Sequence, residues 1–242
     1  MKKIIVSALA LALSSGLAMA DGHEKTIRLG TEGAYAPWNF LNDAGEVDGF
    51  ERELGDELCA RAELTCEWVT NEWDSIIPNL VNGNYDAIIA GMSITDERDE
   101  VIDFTTNYTP PDPSAYVAAS DDVDLEGGVI AAQTGTIQAG FVAESGATLV
   151  EFATPEETIA AVKSGEADAV LADKSYLAPI VAEDGDLSFV GPDVPLGGGV
   201  GMGIRESDGE LKAKFDAAIQ SMKDDGSLNE MIKKWEVSST FE

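Results

Sequence analysis

The stretch Asp86–Arg98, DAIIAGMSITDER, gathers residues well suited to grip a small charged molecule. Arg98 carries a fork of N–H donors that matches a carboxylate in two parallel hydrogen bonds. Ahead of it, Ser93, Thr95, Asp96 and Glu97 supply the cap and first-turn acids expected where a helix begins. The free N–H groups of that helix start would favour the same anion, and Gly91 permits close backbone approach. Ile88, Ile89 and Ala90, just before it, read as a short buried strand. The pattern predicts a strand-to-helix junction receptive to a carboxylate. Taken alone, Arg98 reads first as a surface residue, as most arginines are.

The same unit recurs downstream. Leu80–Gly91, LVNGNYDAIIAG, aligns without a gap on Val162–Asp173, VKSGEADAVLAD. In each copy a helix ends at Gly83 or Gly165, an aspartate opens a strand at Asp86 or Asp168, and Ala-apolar-apolar-Ala leads to position 91 or 173. Asp173 then stands in a second lobe where Gly91 stands in the first, and both strand ends are expected on one cleft.

The elements that must position these residues follow in order. Thr26–Gly30 reads as a first strand with Glu32 just beyond its end. Ala34–Phe40 is too aromatic and proline-broken for a regular element, and Asn42–Gly45 marks a turn. Phe50, Leu54 and Leu58 form one helical stripe over residues 50–62, and Cys66–Val69 a second strand. Asp74 is placed to cap a short helix carrying Ile76, Ile77 and Leu80. This alternation predicts an α/β layer with a largely parallel sheet, whose ligands collect at the carboxyl ends of the strands, where Glu32 and Gly91–Ser93 lie.

Beyond the proline-rich Tyr108–Ser114, strands are expected at Ser114–Ala119, Gly128–Gln133, Asp168–Asp173 and Leu187–Val190. Thr154-Pro-Glu-Glu157 is a strong helix start. Leu211, Phe215, Ile219 and Met222 stripe a further helix, and Ser227-Leu-Asn-Glu230 reads as the capping box of the last.

Composition narrows the function classes. Lys2 and Lys3, an apolar run from Ile4 to Leu13 and Ala18-Met19-Ala20 read as a signal peptide cleaved after Ala20, with no cysteine following for lipid attachment. No later stretch is apolar for long enough to span a membrane. The net charge of −30 becomes −32 once Lys2 and Lys3 leave, which disfavours nucleic acid and anionic membrane as partners. Cys59 and Cys66, close together in an exported chain, read as a local disulfide from the end of a helix to the next strand rather than a metal site. The single histidine, His23, precedes the first strand, so no His-dependent triad assembles.

TEGAYAPWNF from Thr31, GFERELGDELCARAELTCEWV from Gly49, WDSIIPNLVNGNYDAIIAGMSITDERDEVIDF from Trp73 and QTGTIQ from Gln133 together resemble the periplasmic solute-binding proteins of amino-acid ABC transporters. The likeness is to the lysine/arginine/ornithine and histidine type, solute-binding protein family 3, and runs over essentially the whole mature chain. It implies an α/β, two-lobed periplasmic-binding-protein-like fold (type II), each lobe a mostly parallel sheet with flanking helices. Lobe 1 would take residues 26–110 and 199–242, lobe 2 residues 114–191, with hinge crossings at 110–114 and 192–198.

The resemblance also assigns roles. Arg98 looks like the arginine that pairs with a ligand α-carboxylate, and Asp173 like the acid that receives the α-ammonium. Ser93, Thr136 and Gln138, with backbone at Gly91, match donors to the same groups, while Tyr35 and Trp73 match an aromatic pair about the ligand side chain. Glu32 stands where relatives for basic amino acids carry an acid. Where the family often has hydroxyl residues, this chain has Ala90 and Gly91.

The implied function is capture of a polar, foremost basic, amino acid (arginine, lysine, ornithine or a related opine) in the periplasm and its delivery to an inner-membrane ABC permease. It needs a monomer, no cofactor, no metal and no catalytic residue. The alternative is a periplasmic enzyme of the same fold, such as a cyclohexadienyl dehydratase, which would require a general acid beside a leaving group.

Overall fold

The structure, a computed structural model, describes residues 25–242. The expected signal peptide with its cleavage after Ala20, and His23, lie outside the described residues. The chain begins with β1 (Ile27–Thr31), β2 (Ala34–Tyr35), β3 (Asn39–Leu41), β4 (Val47–Asp48), α1 (Phe50–Arg61) and β5 (Cys66–Thr70). It continues with α2 (Ile76–Val81), β6 (Ala87–Ile88), α3 (Asp96–Asp99) and β7 (Asp103–Phe104). There follow β8 (Ser114–Ala118), β9 (Val129–Gln133), α4 (Ile137–Ala143), β10 (Thr148–Phe152) and α5 (Pro155–Ser164), then β11 (Ala169–Asp173), α6 (Lys174–Glu183) and β12 (Ser188–Val194). β13 (Gly203–Ile204), α7 (Gly209–Asp225) and α8 (Ser227–Trp235) complete it.

Two five-stranded sheets result, ordered β5-β1-β6-β13-β7 and β10-β9-β11-β8-β12. Each is mixed rather than largely parallel. β1 pairs in parallel with β5 and β6, and β9 with β10 and β11, because local helical crossovers return those strands in the same direction. β13 and β8 run antiparallel to both their neighbours. They are the first strands after the chain changes sheet, so no local crossover sets their direction.

The sequence repeat is realised in the register. Leu29 pairs with Ala87 and Gly30 with Ile88 in one sheet, as Ile130 pairs with Ala169 and Ala131 with Val170 in the other. The two aspartates hold the same post: Asp86 Oδ2 accepts the Arg28 N–H at 3.1 Å, and Asp168 Oδ2 the Val129 N–H at 2.7 Å. Carrying the register forward sets Glu32 opposite Gln133 and Gly91 opposite Asp173.

Packing follows the apolar stripes. Phe50, Leu54 and Leu58 of α1 are fully buried, as are Phe215, Ile219 and Met222 of α7, each worth about 1.5–3 kcal/mol in transfer from water. A second core beneath β9 and β11 contains Ile159 and Val162 of α5. That helix starts with a full capping box between Thr154 and Glu157 and ends on Gly165 at φ 77°. The Cys59–Cys66 disulfide joins α1 to β5 as expected.

Several local expectations are corrected. Ala34–Phe40 is not irregular, since β2, β3 and β4 form a small antiparallel sheet with Pro37 in its first turn, where no N–H is needed. Asp74 does not cap α2, because a 3₁₀ turn at Trp73–Ser75 precedes that helix. The Ser227 capping box does not form. Gly226, at φ 81°, closes α7 and precedes α8, while the Ser227 hydroxyl accepts from Arg61 Nη2 at 3.1 Å. β6 stops at Ile88, although Ile89 and Ala90 remain buried. β12 runs on past Val190 to Val194, into the stretch read as the second crossing.

Candidate functional site

Side chains from both sheets converge where strands end. Glu32 follows β1, Gly91 and Ser93 follow β6, and Asp173 ends β11. A cavity forms there, lined by all nine expected ligand residues: Glu32, Tyr35, Trp73, Gly91, Ser93, Arg98, Thr136, Gln138 and Asp173. Ala90, Gln133 and Ile137 join them.

Asp173 is held from both halves. The Tyr35 hydroxyl donates to its Oδ2 at 2.9 Å and Gln138 Nε2 to its Oδ1 at 2.8 Å, while Gln138 also reaches Ser114 Oγ at 2.9 Å. Burial pushes the carboxyl up to about 6, against the Tyr35 and Gln138 hydrogen bonds and the positive charge of Arg98. Arg98 Nη1 donates to the Ser93 carbonyl at 2.9 Å, and Nη2 crosses to the Gly135 carbonyl at 3.3 Å. Burial pushes the guanidinium down to about 10, opposed by Asp173 and Glu97, so it stays charged at neutral pH.

Glu32 is met across the cleft by Gln133, whose Nε2 donates to Glu32 Oε1 at 2.6 Å and to the Ala153 carbonyl at 3.1 Å. Both amide hydrogens are thereby engaged, which fixes Gln133 with its own oxygen as the remaining polar group. Burial lifts Glu32 to about 7 despite the Gln133 bond.

The aromatic pair differs from a simple sandwich. Tyr35 stacks on Tyr176 at 4.2 Å between centroids, and the Arg98 guanidinium lies 5.4 Å from the Trp73 ring centre. Each ring keeps one face free of these partners.

The helix-start receptor is not built as expected. α3 is a single turn whose Arg98 N–H is taken by Thr95 Oγ1 at 3.2 Å. The Gly91 N–H turns inward to Glu51 Oε1 at 2.6 Å, where Asn39 Nδ2 and the Tyr108 hydroxyl also donate to the buried Glu51 carboxylate. Thr136 spends its hydroxyl on α4, accepting from the Ala139 N–H at 3.1 Å and donating to the Gln133 carbonyl at 2.7 Å. Of the donors expected around an anion, the Arg98 side chain is the one that reaches the cavity with a positive charge. Gln133 was absent from the expected residues, yet extending the repeat from β6 and β11 back to β1 and β9 would have paired it with Glu32. Glu51 carried no comparable signal, being simply an acid in a helix's first turn.

Two α/β halves, each a five-stranded mixed sheet with flanking helices, that meet at a cleft are the architecture of a two-lobed, type II solute-binding protein. The chain belongs to the bacterial extracellular solute-binding proteins, family 3, which it matches over residues 27–238. It is 34% identical over 258 residues to the L-arginine-binding protein of Pseudomonas aeruginosa, covering 97% of this chain and 96% of that one. With the lysine/arginine/ornithine-binding periplasmic protein of Escherichia coli (strain K12) it shares 29% identity over 255 residues, covering 97% and 96%. Among solved structures it is similar to a periplasmic His/Glu/Gln/Arg/opine family-binding protein from Silicibacter pomeroyi in complex with lysine. That likeness has 77% identity and a TM-score of 0.88 over 89% of this chain and 100% of the other.

Proposed function

We propose that the protein captures a free α-amino acid with a cationic side chain, foremost arginine, lysine or ornithine, and releases it unchanged to an inner-membrane ABC permease. Charge counting on one cavity carries this reading. Arg98 matches the α-carboxylate, Asp173 the α-ammonium, and Glu32 is the second acid left for a positive side chain. The oxygen of Gln133 adds a neutral acceptor beside Glu32. A ligand with an acidic side chain would meet only acceptors there. The Arg98 and Glu32 substitutions argued below test the individual roles.

The solved relative in complex with lysine and the relative named for L-arginine support the same ligand class. In this reading the lobes are residues 26–110 with 199–242, and 114–191, closing as a hinge on the crossings at 110–114 and 192–198. The mature chain starts after cleavage at Ala20 and works as a periplasmic monomer. A thermal-shift panel of the amino acids and opines, followed by calorimetry, tests the assignment: arginine, lysine, ornithine or an opine raises Tm. Stabilisation by acidic or aliphatic amino acids alone overturns the role of Glu32. Release of product from prephenate or arogenate would overturn transport without chemistry, since the clamp leaves no acid free for a leaving group.

A further inference from the structure

Helix α6 starts directly after Asp173, yet the Asp173 side chain makes no hydrogen bond to cap it. The cap comes from elsewhere. Asp112, in the proline-rich passage between β7 and β8, accepts the Ser175 N–H on Oδ2 at 3.2 Å. An aspartate in the N-cap position ordinarily bonds the first-turn N–H groups of its own helix. Here another carboxylate meets that need, and Asp173 is held towards the cavity by Tyr35 and Gln138.

The same helical turn is tied to every part that would move. The Lys174 N–H donates to the Pro113 carbonyl at 2.9 Å, and the Lys174 ammonium pairs with Asp193 of β12 at 2.7 Å. From the first half, Trp38 Nε1 donates to Ser175 Oγ at 3.0 Å. Both passages between the sheets therefore meet at the residue that follows the ligand acid.

We propose that Asp112 is a positioning residue: by capping α6 in place of Asp173, it keeps the Asp173 carboxylate turned to the ligand and couples it to the hinge. The inference rests on the reading of Asp173 as the acceptor of an α-ammonium. The groups facing the two acids are Tyr35 and Arg98 around Asp173, and Lys174 and Asp193 around Asp112. Burial raises both carboxyls, and the negative charge of Asp112 adds to the rise at Asp173.

Two variants test it. Asp112→Asn retains an acceptor for the Ser175 N–H but loses the charge, whereas Asp112→Ala removes both. In calorimetric titrations with arginine and lysine, Asp112→Ala weakens binding by about tenfold or more, as Asp173 turns to its own helix, and Asp112→Asn stays within about threefold of wild type. Carboxyl ¹³C NMR of the ligand-free protein, with the Asp173 signal assigned from Asp173→Asn, reads the charge separately. The Asp173 midpoint near 6 moves to lower pH in Asp112→Asn. Wild-type affinity in Asp112→Ala, equal losses in both variants, or an unmoved Asp173 midpoint overturns the proposal. Where Asp112→Ala fails to fold, the Asp112→Asn titrations decide it, since a variant that keeps the acceptor must stay within about threefold of wild type. Failure of the amino-acid reading itself shows differently, as no binding by the wild type.

Discussion

Arg98 keeps its charge where burial opposes it, and two of its five N–H donors go to the carbonyls of Ser93 and Gly135. Three donors remain for a carboxylate. Removing one partner of a buried charge pair costs about 2–5 kcal/mol. Arg98→Ala is therefore expected to weaken every α-amino acid by at least about thirtyfold in calorimetry; wild-type affinity in that variant would remove the clamp. Glu32 carries a pH signature. Its ordinary value of 4.5 rises to about 7 in the folded protein, so between those values the folded state holds more protons than the unfolded. The stability it contributes is present below about 4.5 and is lost as pH rises through about 7. The Tm of wild type relative to Glu32→Gln should fall across that window and level off above it. A cationic ligand needs Glu32 ionised, so affinity for arginine or lysine should begin to drop as pH falls below about 7 in wild type, whereas Glu32→Gln should show only the later drop, near 6, that Asp173 supplies. Parallel pH profiles for the two proteins would refute the assignment.

At the scale of elements, the helices were the most legible part of the chain. α1 and α7 announce themselves through a 3.6-residue apolar stripe, and α5 through the cap and first-turn residues Thr154 and Glu157. The Asp86 and Asp168 repeat was legible because the same backbone contact demands the same residue twice. The β2–β4 sheet was not, since ladders of two or three residues show no periodicity. Ser227 misled because Arg61, distant in sequence, claims its hydroxyl. The site residues were legible largely through their pattern as a set. Gln133, Asp112 and Glu51 were missed because their partners lie 101, 63 and 40 residues away. The disulfide offers an element-level test. It ties α1 to β5 across a short loop, a constraint worth about 2 kcal/mol. Replacing Cys59 and Cys66 together by serine should lower urea-measured stability by about that amount and leave ligand affinity unchanged, as neither lines the cavity. A matching loss of affinity would mean that the α1–β5 junction shapes the site.

For the whole molecule, the two sheets repeat one topology, and the cleft between them draws a cation from one half and acids from both. Arg98 and Glu32 come from the first half, and Asp173 from the second. Only when the halves meet is the charge pattern complete, which is why Tyr35 reaches Asp173 and Gln133 reaches Glu32 across the cleft. The net charge of −30 surrounds this site with a field that favours cations. Stopped-flow association of lysine should therefore slow as salt is raised, more than that of glutamine if both bind; equal salt dependence would confine the charge to a role in solubility. Calorimetric titration of the purified protein reads the proposed α-amino-acid clamp, with its second acid for a positive side chain, without an intermediary. Arginine, lysine, ornithine, glutamine, glutamate and leucine should be compared at one neutral pH. The three cationic amino acids are expected to bind, and more tightly than the other three; tighter binding of glutamate or leucine would rule out the second acid as a partner for a positive side chain.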